Sequence, residues 1–202
     1  VTAFLEKAPN PVTNQINAGC YVFRRSVIDQ IPAGQVVSVE RETFPGLIAA
    51  GAVVMGYAED AYWLDVGTPE AFVRGSCDVV LGALSSSALA CEPGDCLVLE
   101  EASVAEGARL SGGTTVGRGA VIEAGAMVSG SVIFDGAVIG AGALVRDSIV
   151  GKDAVIAGGA SVHGVVIGDE AYVGPGNELA RGLRLWPGTR LEATSVRFSS
   201  DA

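Results

Sequence analysis

The chain has 202 residues, 49% of them hydrophobic and 6% aromatic, with 28 glycines and a formal net charge of −10. A phosphate backbone calls for clustered Lys and Arg, so this balance excludes nucleic acid as a natural partner, and no apolar run approaches the roughly 20 residues that span a bilayer. Cys20, Cys77, Cys91 and Cys96 are scattered, none forms a C-x-x-C pair, and His163 is the sole histidine; a zinc site and a disulfide framework are both disfavoured, and a cytoplasmic protein with reduced thiols is expected.

Taken in chain order, residues 1–84 alternate between strand and helix patterns, the signature of an α/β sheet. Strands are expected over 1–6, 16–23 and 53–57, with a strand end over 62–66. Short helices are expected over 26–31, stopping at Pro32, and over 43–50. Thr68 and Pro69 suit the cap and first position of a longer helix running to about Leu84. Phe72, Val73, Val80, Leu81 and Leu84 are its expected buried side. Some four strands make an unfinished sheet with open edges. Together with a start at Val1 rather than Met, this leads us to expect that an N-terminal piece precedes the chain. Residues 85–97, with Pro93-Gly94, read as a linker.

From residue 98 a repeat takes over. Aliphatic residues fall at Val98, Val104, Leu110, Val116, Ile122, Val128, Ile133, Ile139, Val145, Val150, Ile156, Val162, Ile167, Val173, Leu179, Leu185 and Leu191. The steps are six residues, shortened to five before Ile133, Val150 and Ile167. Two residues before a stop the side chain is usually small, as at Ala120, Ser131 and Ser148. Three before, it is often Gly, as at Gly107, Gly136 and Gly188. The period fits neither an amphipathic helix nor plain strand alternation. It is the hexapeptide pattern, in which the aliphatic residue fills a narrow interior and Gly takes the corner. Three hexads close one triangular coil, and coils stack at about 4.8 Å. A left-handed parallel β-helix of about five coils is expected over 98–195, followed by a tail over 196–202.

Four motifs ahead of this repeat occur in a telling order: Phe4-Leu5-Glu6-Lys7, Ile16-Asn17-Ala18-Gly19, Ser38-Val39-Glu40-Arg41-Glu42-Thr43-Phe44-Pro45 and Trp63-Leu64-Asp65-Val66-Gly67-Thr68-Pro69. The series resembles the second half of sugar-1-phosphate nucleotidyltransferases, particularly mannose-1-phosphate guanylyltransferases. The resemblance implies that residues 1–84 are the C-terminal half of a Rossmann-like catalytic domain. It implies transfer of a nucleotidyl group from a nucleoside triphosphate, GTP by this likeness, to a sugar 1-phosphate, with release of pyrophosphate. By motif, Glu6 would hydrogen-bond sugar hydroxyls, Lys7 would hold the sugar phosphate, and Asn17 and Gly19 would line the sugar pocket. Asp65 would be one of two acidic ligands for Mg²⁺. A Lys and a hard cation suit this chemistry, because two like-charged phosphates must be brought together. The family also implies a homo-oligomer associating through the β-helix. Two departures stand out: Ala8 separates the Glu-Lys pair from Pro9, and the family's glycine-rich triphosphate loop is nowhere in the chain. The 202 residues alone are therefore expected to be inactive.

Other readings stay open beside these. Asp65 could cap the turn before Thr68, Lys7 could be a solvated edge lysine, and Glu40 and Glu42 suit a helix start. Trp63 is expected in a core, and Trp186, Arg197 and Phe198 are expected to cover the open end of the β-helix. Hexapeptide acyltransferases use a coil histidine as a general base, but His163 follows the inward Val162 and should point outward. Besides the nucleotidyltransferase, the alternatives are thus a hexapeptide-repeat acyltransferase and a non-catalytic regulatory homologue.

Overall fold

The computed structural model describes residues 1–4, 9–10, 13–87 and 92–197. It divides into two compact units, residues 1–63 and 64–202.

The second unit is a parallel β-solenoid of seventeen strands, so nearer six turns than five. In chain order they are β1 (Cys96–Val98), β2 (Ser103–Val104), β3 (Arg109–Ser111), β4 (Thr114–Val116), β5 (Val121–Ile122), β6 (Met127–Ser129), β7 (Val132–Ile133), β8 (Val138–Ile139), β9 (Leu144–Arg146), β10 (Ile149–Val150), β11 (Val155–Ile156), β12 (Ser161–His163), β13 (Val166–Ile167), β14 (Tyr172–Val173), β15 (Glu178–Ala180), β16 (Arg184–Leu185) and β17 (Arg190–Leu191). Every strand carries one aliphatic stop of the repeat. Every third strand is paired, giving a first face of six strands from β1 to β16, a second of six from β2 to β17, and a third of five from β3 to β15.

The register follows from the step lengths. Val116 pairs with Ile133, Ile133 with Val150 and Val150 with Ile167, so the three five-residue steps all enter the first face. The inward column is dry: Val116, Ile122, Ile139, Val145, Val150, Ile156 and Val173 are fully buried. Ala120, Ala137, Ala143, Ala154 and Ala171 fill the space between them with no exposure. The column loosens at the start of the stack, where Val98 and Val104 are each about 40% exposed. Each glycine three places before a stop has a positive φ; where the repeat has no Gly there, Glu101, Asp147, Asp153 and Glu170 adopt the same left-handed conformation.

Dropping one residue from a corner removes a backbone partner, and small hydroxyl side chains replace it. The buried Ser131 Oγ accepts the Ser148 amide at 3.1 Å, and the buried Ser148 Oγ accepts the Val165 amide at 3.1 Å. Each hydroxyl donates to a carbonyl of its own corner, Ser129 O at 2.8 Å and Arg146 O at 2.6 Å. A similar device ends the stack. Asn177, fully buried, donates to Gly174 O and Glu192 O, and its Oδ1 accepts the Val196 amide. Asn177 and Val196 thus finish the last coil. Trp186, expected to cover that end, is instead 79% exposed, and Phe198 lies outside the described residues. Arg197 pairs with Glu178 at 3.8 Å.

One helix, α3 (Pro69–Val80), packs on the solenoid's first face. Thr68 Oγ1 accepts the Ala71 amide at 3.2 Å and Pro69 takes the first turn, as the sequence suggested. Its buried side is Val73, Cys77 and Val80, a spacing of four and three. Near its start Val73 lies by Ile149 and Val166, and near its end Cys77 lies against Gly113. The helix stops at Val80 rather than Leu84, because Gly82 turns left-handed at φ 82° and the Gly94 amide takes up the Val80 carbonyl. Leu81 is therefore half exposed, and Phe72, also expected inside, is 38% exposed and stacks on Phe134 at 6.5 Å.

The first unit has less order. Its described residues hold α1 (Arg25–Ile28), a π-type turn at Val39–Thr43 and α2 (Phe44–Ala49). None of the strands expected over 1–6, 16–23 and 53–57 forms among the described residues. Val22, Val53, Met55 and Tyr57 stand in solvent, each more than 80% exposed. A strand exists only by pairing, and here residues 1 and 54 share a single hydrogen bond, from the Val1 amine to the Val54 carbonyl at 2.8 Å, with no ladder among the described residues. The unit's core is a small aromatic cluster: Phe44, with Phe4 at 5.0 Å, Tyr21 at 5.1 Å and Phe23 at 5.6 Å around it.

Candidate functional site

Glu6 and Lys7 lie outside the described residues. Asn17 and Gly19 belong to the first unit and form one local structure. The Asn17 Oδ1 accepts the Gly19 amide at 3.1 Å, and Gly19 sits at φ 75° with nothing near its missing Cβ. This is an Asx turn, which a short amide side chain and a glycine make cheaply. Asn17 Nδ2 donates to the Tyr21 hydroxyl, and that hydroxyl donates to Glu40 Oε1 at 2.9 Å. Tyr21 is held by its edge-on contact with Phe44, so the aromatic cluster sets the position of Asn17.

Glu40, read in the sequence as a helix-start acid, is thus also the far end of a chain of hydrogen bonds from Asn17. Ser38 builds its turn: the Ser38 Oγ accepts the Arg41 amide at 3.2 Å, and Glu42 Oε1 accepts the Ser38 amide at 3.1 Å. The exchange is reciprocal like that of a capping box, with the acid one place later than the usual third position. Backbone hydrogen bonding, then the Tyr21 hydroxyl, holds the Glu40 carboxyl below its usual range. Burial, with the Glu40 charge adding to it, pushes the Tyr21 hydroxyl up. The sequence reading missed Tyr21; its spacing of four from Asn17 was the available signal, but no regular element joins them, so only folding brings them together. Trp63, expected in a core, is half exposed and donates to the Ala18 carbonyl at 3.4 Å.

Asp65 belongs to the second unit. It is exposed, and its Oδ1 accepts the Gly67 amide at 3.1 Å, bending the chain just before the Thr68 cap. The turn-capping role is therefore present, and it leaves the carboxylate at the surface at the N-terminal approach to α3. One carboxylate is an incomplete site for Mg²⁺, which takes hard oxygen ligands and keeps several waters. Among the described residues no group of three His, Cys, Asp or Glu side chains is placed to hold a metal. His163 points outward, as expected, with Nε2 3.3 Å from Asp147 Oδ2 and both side chains about two-thirds exposed.

No helix among the described residues is long and apolar enough to cross a membrane. Residues 1–80 match the family model for nucleotidyl transferases, and residues 93–187 match that for the GMPPB C-terminal domain. The chain is 54% identical over all of its 202 residues to the mannose-1-phosphate guanylyltransferase of Mycobacterium tuberculosis, of which it covers 56%. It is 41% identical over 85 residues to the mannose-1-phosphate guanyltransferase of Yarrowia lipolytica, covering 42% of this chain and 23% of that one. The chain thus spans about half the length of the first of these relatives and less of the second. Among solved structures, the acetyltransferase domain of PglB from Neisseria gonorrhoeae aligns over 51% of this chain and 57% of that one, with 21% identity and a TM-score of 0.33. Two family models thus match in order, the nucleotidyl transferase one ahead of the GMPPB C-terminal one, and the chain is similar along its whole length to one mannose-1-phosphate guanylyltransferase.

Proposed function

We propose that this chain is the sugar-side and assembly part of a mannose-1-phosphate guanylyltransferase, which transfers GMP from GTP to mannose 1-phosphate and releases pyrophosphate. The observation that carries this reading is the 54% identity over the full 202 residues of the chain. The triphosphate loop and the second metal carboxylate would come from an N-terminal segment of roughly 150–200 residues, the size of the remainder of such a domain. The unpaired, exposed apolar residues of the first unit, Val22, Val53, Met55 and Tyr57, suit such a partner.

In this reading Lys7 neutralises the sugar phosphate and Glu6 accepts from sugar hydroxyls. Asn17, fixed by the Gly19 amide and the Tyr21 hydroxyl, and Gly19, which has no side chain to intrude, form the wall of the sugar pocket. Asp65 would offer its carboxylate to Mg²⁺, which when bound supplies charge neutralisation between the two phosphates. The protein's share is then positioning and charge stabilisation, with no covalent intermediate. A cytoplasmic location and a homo-oligomer belong to the same reading.

The test is a coupled pyrophosphate assay with GTP, mannose 1-phosphate and Mg²⁺. The 202-residue chain should release none, and the chain joined to its N-terminal segment should turn over. In that longer protein Asp65→Asn should lower kcat strongly, and Lys7→Ala should mainly raise the KM for mannose 1-phosphate. Full activity of the 202 residues alone would defeat the two-part reading, and an inactive longer protein would defeat the enzymatic one.

A further inference from the structure

Within the second unit, a series of close contacts runs from the solenoid through α3 to Asp65. The first face of the solenoid carries an apolar outward row, Val132, Ile149 and Val166, aligned from β7 to β13. α3 is seated on this face: Val73 lies beside Ile149 and Val166, and Cys77 lies against Gly113, just ahead of β4. Phe72 stacks on Phe134, at the corner after β7, with the ring planes 7° apart. The helix therefore rests on successive coils whose interior is dry and close-packed, a platform that yields little. At Gly113 nothing holds the helix off, since a Cβ there would lie 2.7 Å from the Cys77 Cα.

The opposite side of α3 carries the segment that holds Asp65. A helix turns about 100° per residue, so Gly75 lies about 160° from both Val73 and Cys77, facing away from the solenoid. A glycine inside a helix weakens it, and here the close approach of another segment explains its place. A Cβ on Gly75 would lie 3.2 Å from Leu64 Cδ2 and 3.5 Å from Val66 Cγ1. These two side chains flank Asp65, which is itself exposed. Asp65 Oδ1 accepts the Gly67 amide and Thr68 caps the helix, so the backbone after Asp65 is fixed to α3 as well. Oδ2 is left for a hard cation.

We propose that the solenoid takes part in the reaction as the seat of the Asp65 carboxylate, with α3 as the bracket between them and Gly75 and Gly113 as positioning residues. This rests on the reading of Asp65 as a Mg²⁺ ligand given above. Mg²⁺ demands near-ideal octahedral geometry at about 2.1 Å, so a carboxylate displaced by a fraction of an ångström binds it poorly. Groups that orient a metal ligand accordingly change affinity or activity by roughly 10–100-fold when they are altered. Gly75 and Gly113 act on the same carboxylate from opposite sides of one helix, so substituting either should leave the same signature.

The experiment uses the chain joined to its N-terminal segment. Mn²⁺ alone is the probe, its binding followed by electron paramagnetic resonance beside the Mg²⁺ requirement of the pyrophosphate assay. Asp65→Asn should weaken Mn²⁺ binding most. Gly75→Val, which pushes Leu64 and Val66 off the helix, should weaken it about tenfold and raise the Mg²⁺ needed for half-maximal activity as much. The KM for mannose 1-phosphate at saturating Mg²⁺ should stay within about twofold. Adding Leu64→Ala gives the space back and should recover most of the loss, a rescue that general damage to the fold would not allow. Gly113→Ala should weaken Mn²⁺ binding from the other side of the helix. Should that variant fail to fold, Phe134→Ala removes the stack on Phe72 without a clash and should give about a threefold loss. Mn²⁺ binding unchanged by Asp65→Asn would overturn the metal reading and this proposal with it. A loss with Asp65→Asn but none with Gly75→Val would overturn this proposal alone. A loss with Gly75→Val but none with Gly113→Ala or Phe134→Ala would mean that α3 holds Asp65 without the solenoid, and would overturn the solenoid as its seat.

Discussion

Residues 53–57 and residues 138–139 are both short runs rich in strand-forming side chains, and they end in opposite states. Val53, Met55 and Tyr57 are more than 80% exposed and belong to no strand, whereas Val138–Ile139 is a paired strand whose Ile139 is fully buried. The difference lies in where each finds its partner. A strand of the solenoid pairs with the hexad one coil away, 17 or 18 residues along the chain, as Ile122 does with Ile139 and Val104 with Ile122. A strand of an α/β sheet must find its partner across a crossover or in another part of the chain altogether. A repeat carries its neighbours with it; a sheet built from distant segments does not.

The sharpest way to break the contrast is a charge in each region. Ile139→Asp places an unpaired carboxylate in a dry interior and should destabilise by more than about 4 kcal/mol, enough to lose the cooperative melt of the solenoid. Val53→Asp should leave that melt within about 0.5 kcal/mol, because the side chain it replaces is already in water. Calorimetry of the two variants checks both; an unchanged melt for Ile139→Asp would show the inward column wrongly placed.

A smaller effect separates the solenoid from the helix seated on it. A Cβ on Gly113 would lie 2.7 Å from the Cys77 Cα, a backbone atom that cannot rotate away. Gly113→Ala should therefore lift the end of α3 and cost roughly 1–3 kcal/mol. Hydrogen exchange should show faster amides in α3 while those of β7 to β14 keep their protection. Ser148→Ala probes the short corner. It leaves the buried Val165 amide without its acceptor and should cost roughly 1–3 kcal/mol, read from a denaturant midpoint. Exposed Ser195→Ala, at the surface of the last turn, is the matched control and should shift it little.

The smallest effect is on pH. Burial, followed by the charges of Asp78 and Asp147, pushes the Cys77 thiol above its ordinary 9.0. The raised value means that the contribution is whole below about pH 9 and is lost as the pH rises toward the folded value, since the unfolded chain then ionises first. Stability should decline there, and Cys77→Ala should remove that part of the decline. At neutral pH a thiol reagent should label the exposed Cys20 and leave Cys77 untouched in the folded chain.

The sequence by itself determined the solenoid. Each inward stop, each small neighbour and each left-handed corner is written within six residues, and the five-residue steps even marked the face on which they fall. It also showed the Thr68 cap and the outward direction of His163, both local consequences of neighbours in the chain. Tertiary structure alone decided the rest. The early stop of α3 came from Gly82 and a distant Gly94, and the exposure of Trp186 from a last coil that Asn177 and Val196 already finish. The hydroxyls of Ser131 and Ser148 looked like small fillers until coils stacked and gave them amides to accept. The link from Asn17 through Tyr21 to Glu40 spans 23 residues with only the single turn of α1 between, held by an aromatic cluster that no periodicity announces. Strand pattern over 53–57 stated a preference only, because strand structure is a property of pairs, and without a ladder Val53, Met55 and Tyr57 stay in water.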